Sequence, residues 1–266
     1  MRGALVAAGA ARLAAALLDR RPPAGRRVWA RVNAAGEDVT LLEGPAFVAG
    51  ATLALMVTPG LEPPARRAAL VATAGCALCG AYDDLAGTAD ARGLRGHLGA
   101  LTRGEVTTGA VKVLGIGAAG LLAGVLLRGA TVDGLLTGGV VAGSANLANL
   151  FDLRPGRAIK VAVLTSLPLL PSPGTAGDLA CVPVGAAFAV LPDDLAARTM
   201  LGDTGANVLG ALVGLAVAAR AGRPGLVVGL STVTALTVVS ERVSFTRVIE
   251  SSPVLRELDR LGRRRR

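Results

Sequence analysis

Aromatic and charged residues are both scarce in this chain. Only 2% of its 266 residues are aromatic and 18% are charged, whereas a soluble domain of this length normally carries more of both. The chain is instead 52% hydrophobic, with a mean hydropathy of +0.56. Its apolar residues fall in long runs, and runs of about 17 to 25 residues are long enough to cross a bilayer as helices. The composition therefore argues against a soluble domain and predicts a helical membrane protein.

Cysteine and lysine are also rare. The three cysteines lie within apolar runs and do not make a disulfide framework. Cys76 and Cys79 are interpreted as small packing residues on one hydrophobic helix. Lys112 and Lys160 are the only lysines, so nearly all of the 28 basic residues are arginines. A net charge of +9 would suggest nucleic acid in a soluble protein, but the positive-inside rule accounts for it here and no nucleic-acid partner is predicted.

Nine apolar runs organise the chain, which predicts an all-α, polytopic integral membrane bundle of about nine transmembrane helices. The runs cover residues 3–18, 44–57, 68–82, 110–127, 132–150, 158–170, 179–191, 206–219 and 225–240. The sixth and seventh runs are the shortest of the predicted membrane-spanning helices, and one of them could be re-entrant. Residues 1–240 are predicted to form a single membrane domain, and residues 241–266 a basic cytoplasmic tail that ends in four arginines.

Basic residues concentrate in every second loop of this arrangement. The positive-inside rule then places the N-terminus outside and the C-terminus in the cytoplasm, in a multi-pass protein of the plasma membrane. With that orientation the polar clusters of the chain all lie at cytoplasmic helix ends. We therefore expect the active face of the protein to be cytoplasmic.

Two adjacent carboxylates, Asp83 and Asp84, end the third apolar run. Carboxylates at a helix C-terminus repel each other and the negative end of the helix dipole. A bound cation would relieve both effects, and hard cations prefer oxygen ligands. The alternative is a solvated boundary where a membrane helix ends.

A second cluster ends the fifth run, where Asn146, Asn149 and Asp152 are spaced so that they share one helix face. Amide and carboxylate groups there suit the hydroxyl groups of a ligand or the water shell of a metal ion. Hydrogen bonding between helices is an equally good interpretation of the two asparagines.

Two further features begin helices. Asp203 and Thr204 lie in a glycine-flanked turn before the eighth run, where the carboxylate could bind a metal or act as an N-cap. Lys112 opens the fourth run, where the helix N-terminus favours phosphate, unless the lysine only snorkels to the membrane surface. Taken together, the clusters suit a divalent cation bound to a diphosphate, with a hydrophobic co-substrate entering from the lipid.

In order and helix placement, these motifs resemble the polyprenyl-phosphate N-acetylhexosamine-1-phosphate transferase family. The resemblance rests on Asp83-Asp84, Asn146-x-x-Asn149-x-x-Asp152 and Leu201-Gly202-Asp203-Thr204-Gly205. It implies Mg²⁺-dependent transfer of a sugar 1-phosphate from a UDP-sugar to an undecaprenyl-type polyprenyl phosphate. The expected product serves cell-envelope glycan synthesis, such as that of peptidoglycan, and UMP is released.

The same resemblance implies roles for individual residues. Asp83 and Asp84 would handle the polyprenyl phosphate, one of them as a base. Asp203 would ligate Mg²⁺ with Asp152 beside it, and Lys112 would hold phosphate charge. Substrate contacts are expected from Asn146, Asn149, Arg154, Arg157 and Thr204.

Two positions depart from the family pattern. Pro155 stands where the family has a second carboxylate, and it offers neither an acceptor side chain nor an N–H group. Since Arg154 and Arg157 flank it, we expect strong phosphate contacts and weak discrimination of the nucleobase. The family's histidine-rich loop is also missing, and the single histidine, His97, is interpreted as a loop residue. A non-catalytic relative that binds a lipid phosphate or regulates envelope assembly is the alternative, and a homodimer is possible in both cases.

Overall fold

A computed structural model describes residues 2–33, 36–86 and 107–264 of the chain. This part of the chain forms twelve α-helices and one two-stranded hairpin. They are α1 (Arg2–Arg20), α2 (Arg26–Trp29), β1 (Ala30–Val32), β2 (Asp38–Thr40), α3 (Glu43–Val57), α4 (Pro63–Ala86), α5 (Thr108–Arg128), α6 (Val132–Phe151), α7 (Arg157–Ser166), α8 (Thr175–Leu195), α9 (Gly202–Arg220), α10 (Arg223–Ser240), α11 (Phe245–Ser251) and α12 (Pro253–Arg260). His97 and its loop lie outside the described residues.

Each predicted apolar run contains a helix, although the helix in the run 158–170 ends at Ser166, and the helices differ in their ability to cross a membrane. Six helices in the described part of the chain are long and apolar enough to do so: α4, α5, α6, α8, α9 and α10. Helix α3 is apolar but has 15 residues, and α7 has only 10. Helix α1 has 19 residues but carries several charges, including Arg12. The structure thus has a helical membrane bundle with six candidate spans, and the predicted count of nine is not confirmed.

Helix α9 lies at the centre of the bundle, where it packs against α3, α4, α6 and α8. Nearly all of its side chains are buried, and they are mostly small. Small residues allow close approach between helices in lipid. At Gly210 a methyl group would lie 2.2 Å from the carbonyl oxygen of Ser144, so α9 and α6 can approach this closely only with glycine at that position. Helix α10 buries only Leu226 and is peripheral.

Helices α5 and α9 contact each other through polar residues at both ends of the bundle. Arg128, at the end of α5, donates hydrogen bonds to the carbonyl oxygens of Ala218 (2.5 Å) and Ala221 (2.7 Å), at and just after the end of α9. The opposite ends of the same two helices, which carry Lys112 and Asp203, are also in contact. The described polar motifs therefore share one end of the bundle.

A short antiparallel hairpin covers part of that end, where the sequence analysis predicted only a basic loop. In the hairpin Arg31 of β1 is paired with Val39 of β2. The backbone of Thr40 continues the pairing, since it accepts a hydrogen bond of 3.0 Å from the N–H of Met200. The Arg31 guanidinium donates to the main-chain oxygen of Asp84. The hairpin therefore connects the end of α4 to the segment that precedes α9.

Candidate functional site

Asp84, in the last turn of α4, caps the N-terminus of α9. Its carboxylate accepts hydrogen bonds from the N–H groups of Asp203 (3.0 Å) and Thr204 (2.9 Å) and from the Thr204 hydroxyl (2.6 Å). These N–H groups have no partner within the helix, so an external acceptor satisfies them. The bonds join two predicted motifs that are 120 residues apart in sequence.

Glycine at position 202 is required for this cap. Gly202 has a φ of 59°, a conformation that disfavours residues with a Cβ atom. A Cβ atom there would also lie 3.1 Å from both carboxylate oxygens of Asp84. Asp84 is predicted from the sequence to be catalytic, and in the structure its carboxylate positions the start of α9.

Lys112 bridges the two other carboxylates of these motifs. Its ammonium nitrogen lies 2.8 Å from Oδ2 of Asp83 and also bonds Oδ2 of Asp203. The Lys112 side chain is only 16% exposed, so the ammonium group points into the protein. The snorkelling interpretation of Lys112 is therefore wrong, as is the N-cap interpretation of Asp203, because Asp84 supplies that cap.

The partner of the two aspartates was not expected from the sequence. Neither Asp83 nor Asp203 has an obvious basic partner nearby in the chain, which predicts from the sequence that they share one bound cation. In the structure the shared cation is the ammonium group of Lys112, which comes from the start of α5. Thr107 fixes that start as the N-cap of α5, since its hydroxyl accepts a bond of 3.1 Å from the N–H of Ala110.

Close packing holds Asp203 in place. A Cβ atom at Gly80 of α4 would lie 2.4 Å from the main-chain oxygen of Asp203, so only glycine permits this approach. The same oxygen accepts a hydrogen bond of 2.7 Å from the side chain of Asn207. The backbone of Asp203 is thus fixed from both sides while its carboxylate faces Lys112.

Asp152 follows α6 and is buried beside this site. Burial raises the pKa of Asp152, and the negative charges of Asp194 and Asp203 raise it further, against a smaller opposing effect of the Gly202 N–H group. Its Oδ2 atom is buried without a hydrogen-bond partner among the described residues. An unpaired buried carboxylate oxygen is costly, and a cation beside it would remove that cost.

Two buried acidic residues near the site were missed by the sequence analysis. Oδ2 of Asp194, in the last turn of α8, accepts a hydrogen bond of 3.0 Å from the N–H of Gly156 and so supports the loop after Asp152. Glu43, at the start of α3, accepts a bond from the Thr199 hydroxyl. Asp194 follows an acidic neighbour at the end of an apolar run, the same signal that singled out Asp83 and Asp84.

Three of the predicted substrate-binding residues are engaged with other parts of the protein. Asn146 donates a hydrogen bond of 3.2 Å to the Thr237 hydroxyl of α10, which is the interhelical role left open above. The Arg157 guanidinium is 3% exposed and forms a two-point ion pair with Asp259. The Thr204 hydroxyl is bonded to Asp84, as described above.

Arg154 and Asn149 are less tightly held. Arg154 is a third exposed and lies 4.0 Å from Glu250. It lines a cavity of about 120 Å³ together with Asp152 and Asp194, so it borders the acidic part of the site. Asn149 is half-buried in the last turn of α6, where its carbonyl oxygen accepts a hydrogen bond from the N–H of Asp152.

The donor groups can be compared with the needs of Mg²⁺. Two carboxylate oxygens, from Asp83 and Asp203, already converge on one cation, the ammonium group of Lys112. Mg²⁺ is commonly held by one or two carboxylates together with waters and substrate phosphates, so this pair fits it. Within residues 2–33, 36–86 and 107–264, no three histidine, cysteine or acidic side chains are grouped to hold a metal ion by themselves.

Comparison with known proteins assigns no family to this arrangement. No protein-family model matches the chain, and no curated protein matches it.

Proposed function

We propose that the protein transfers a sugar 1-phosphate from a nucleotide sugar to a polyprenyl phosphate, with Mg²⁺, at the cytoplasmic face of the plasma membrane. The product would serve cell-envelope glycan synthesis. One observation carries the proposal: Asp83, Lys112 and Asp203, from three separate motifs, meet at one point at the end of a membrane bundle. That point combines anionic groups for a metal with a cationic group for phosphate.

Each residue of this cluster has a role in such a reaction. The Lys112 ammonium would leave one carboxylate and bind a phosphate oxygen of the incoming substrate. Asp83 would then orient the polyprenyl phosphate or take its proton. Asp203 and Asp83, with the unpaired oxygen of Asp152 beside them, would hold Mg²⁺, which supplies charge neutralisation of the diphosphate when bound. Asp84 would keep Asp203 and Thr204 in position.

The loop after Asp152 supports weak recognition of the nucleobase. Pro155 replaces the carboxylate of the resembled family, and its carbonyl oxygen accepts a hydrogen bond of 2.8 Å from Arg263 of the C-terminal segment. Neither its side chain nor its carbonyl oxygen then offers a free group to a base. Arg154, which lines the adjacent cavity, favours the phosphates of the donor.

A panel of donors tests the proposal. The purified protein with Mg²⁺ and a polyprenyl phosphate is supplied with UDP-, CDP-, GDP- and TDP-sugars, and the release of nucleoside monophosphate is measured. We expect release from more than one of these donors, and only when the polyprenyl phosphate is present. Strong preference for UDP-sugars would contradict the weak recognition of the nucleobase inferred from Pro155. No release of nucleoside monophosphate from any donor would contradict catalysis.

A non-catalytic protein that binds a lipid phosphate is the second candidate. The observation in its favour is that the Lys112 ammonium group pairs with both Asp83 and Asp203 and so offers a largely buried cation for a phosphate. Such a protein would be silent in the panel but would still bind a polyprenyl phosphate. Binding that weakens in Lys112→Gln and not in Lys160→Gln would support this candidate.

A further inference from the structure

The C-terminal segment after α10 is docked onto the end of the bundle that carries the site. The two-point ion pair between Arg157 and Asp259 has N–O distances of 2.8 and 3.0 Å. Lys160 donates a bond of 2.6 Å to the main-chain oxygen of Asp259, and Arg263 bonds the carbonyl oxygen of Pro155. These bonds hold α12 beside α7 and the end of α8.

An apolar cleft lies between α12 and these two helices. It encloses a cavity of about 260 Å³, and its apolar walls include Leu164, Phe188, Leu191, Leu255, Leu258 and Leu261. Phe188 is 54% exposed and Leu258 46%, although both are large apolar side chains that line the cleft. Leu258 lies in α12, which is not one of the candidate spans, so the lipid-facing surface of a span does not account for its exposure.

Basic groups border the cleft. A second cavity of about 440 Å³ shares Phe188 and Leu191 with it and is bounded by Arg264. Lys160 lines the cleft itself, and burial together with the charge of Arg263 lowers the pKa of Lys160 to about 8. The segment 241–266 contains eight arginines and four acidic residues. The two adjoining cavities are thus bordered by the basic groups of Lys160 and Arg264.

We propose that this cleft binds one acyl chain of an anionic membrane phospholipid, with the lipid phosphate at Arg264. The apolar walls match the chain, and the arginine matches the headgroup. Leu191 lines both the cleft and the second cavity, and Pro192 lines the second cavity. Both lie in the last turns of the candidate span α8, so an acyl chain can reach the cleft along this helix. The proposal does not depend on the transfer reaction.

Native mass spectrometry of the full-length protein tests it. The protein is purified in detergent, stripped of lipid, and titrated with phosphatidylglycerol or phosphatidylcholine of the same chain length. Leu258→Gln alters the cleft, and Val254→Gln is its control, because Val254 is on the same helix and 69% exposed but does not line the cleft. Arg264→Glu alters the headgroup position, with Arg260→Glu as a control of equal charge change.

We expect one tightly retained phosphatidylglycerol per chain and weaker retention of phosphatidylcholine. Leu258→Gln should weaken retention by about tenfold and Arg264→Glu by about fivefold or more, while both controls stay close to the parent. If Leu258→Gln and Val254→Gln weaken lipid retention equally, the cleft is not the binding site, and the C-terminal segment attracts lipid only in a general way. Equal retention of the two lipids, or no effect of Arg264→Glu, would overturn the headgroup assignment.

Discussion

Replacement of Lys112 by glutamine would leave two facing carboxylates without their shared cation. Asp83 and Asp203 are each about one-fifth exposed, so solvent screens their repulsion only in part. Removing one partner of a fully buried ion pair costs about 3–5 kcal/mol, and an exposed pair contributes less than about 1 kcal/mol. For this partly buried arrangement we expect Lys112→Gln to lower the free energy of unfolding by about 2–3 kcal/mol.

Unfolding in mixed detergent and SDS micelles measures this loss. The double variant Lys112→Gln with Asp83→Asn should recover part of it, because the second change removes the repulsion between positions 83 and 203. Lys160→Gln is the matched control, and it should cost less because Lys160 bonds a neutral carbonyl oxygen. A Lys112→Gln variant as stable as the parent, or a double variant less stable than Lys112→Gln alone, would refute the bridging role of Lys112.

Three other variants test the structure around the site. Gly80→Ala should lower the melting temperature, since the new methyl group would meet the backbone of α9 at a cost of about 1–3 kcal/mol, whereas Gly117→Ala, with open space around it, should not. Asp84→Asn should destabilise the protein by about 1–2 kcal/mol through loss of the charged cap of α9. Asp259→Asn should release α12, seen as faster hydrogen exchange in Pro253–Arg260. Burial raises the pKa of Asp259, but the hydrogen bond and charge of Arg157 outweigh burial and hold that pKa below its ordinary value. In the parent, the attachment of α12 is therefore present above about pH 4 and is lost as the pH falls through the lowered pKa of Asp259.

The positions of the helices could be predicted because long apolar runs carry the signal directly. Each of the nine runs contains a helix, and the last residues of α6 and α10 fall within one residue of the predicted ends. The number of spans could not be predicted equally well. A run of 10 or 15 helical residues is too short to decide between crossing the membrane and packing inside the protein.

The site could be predicted in part. Carboxylates at the borders of apolar runs marked Asp83, Asp84 and Asp203, and the structure brings these three together. Their partners depend on packing between helices that are distant in sequence. The bond between Asp84 and Thr204 requires a close approach of α4 and α9, which glycine at position 80 permits.

Other features gave weaker signals in the sequence. Asp194 had the same border position as Asp83 and Asp84, but its role depends on the loop that folds against it. The hairpin of β1 and β2 has strands of three residues, too short for alternation to be recognised. Arg157 was expected at a phosphate because it flanks Pro155 in the altered motif and a guanidinium can grip phosphate, but its partner Asp259 lies 102 residues away.

Binding of Mn²⁺ followed by electron paramagnetic resonance tests the central claim most directly, since Mn²⁺ takes oxygen ligands in the same way as Mg²⁺. We predict one Mn²⁺ per chain, bound more tightly when a polyprenyl phosphate is present. Binding should weaken by about tenfold or more in Asp83→Asn and in Asp203→Asn. It should remain unchanged in Asp133→Asn, because that aspartate pairs with Arg223 at the other end of the bundle. Equal Mn²⁺ binding by the parent and all three variants would contradict a shared cation site at Asp83 and Asp203.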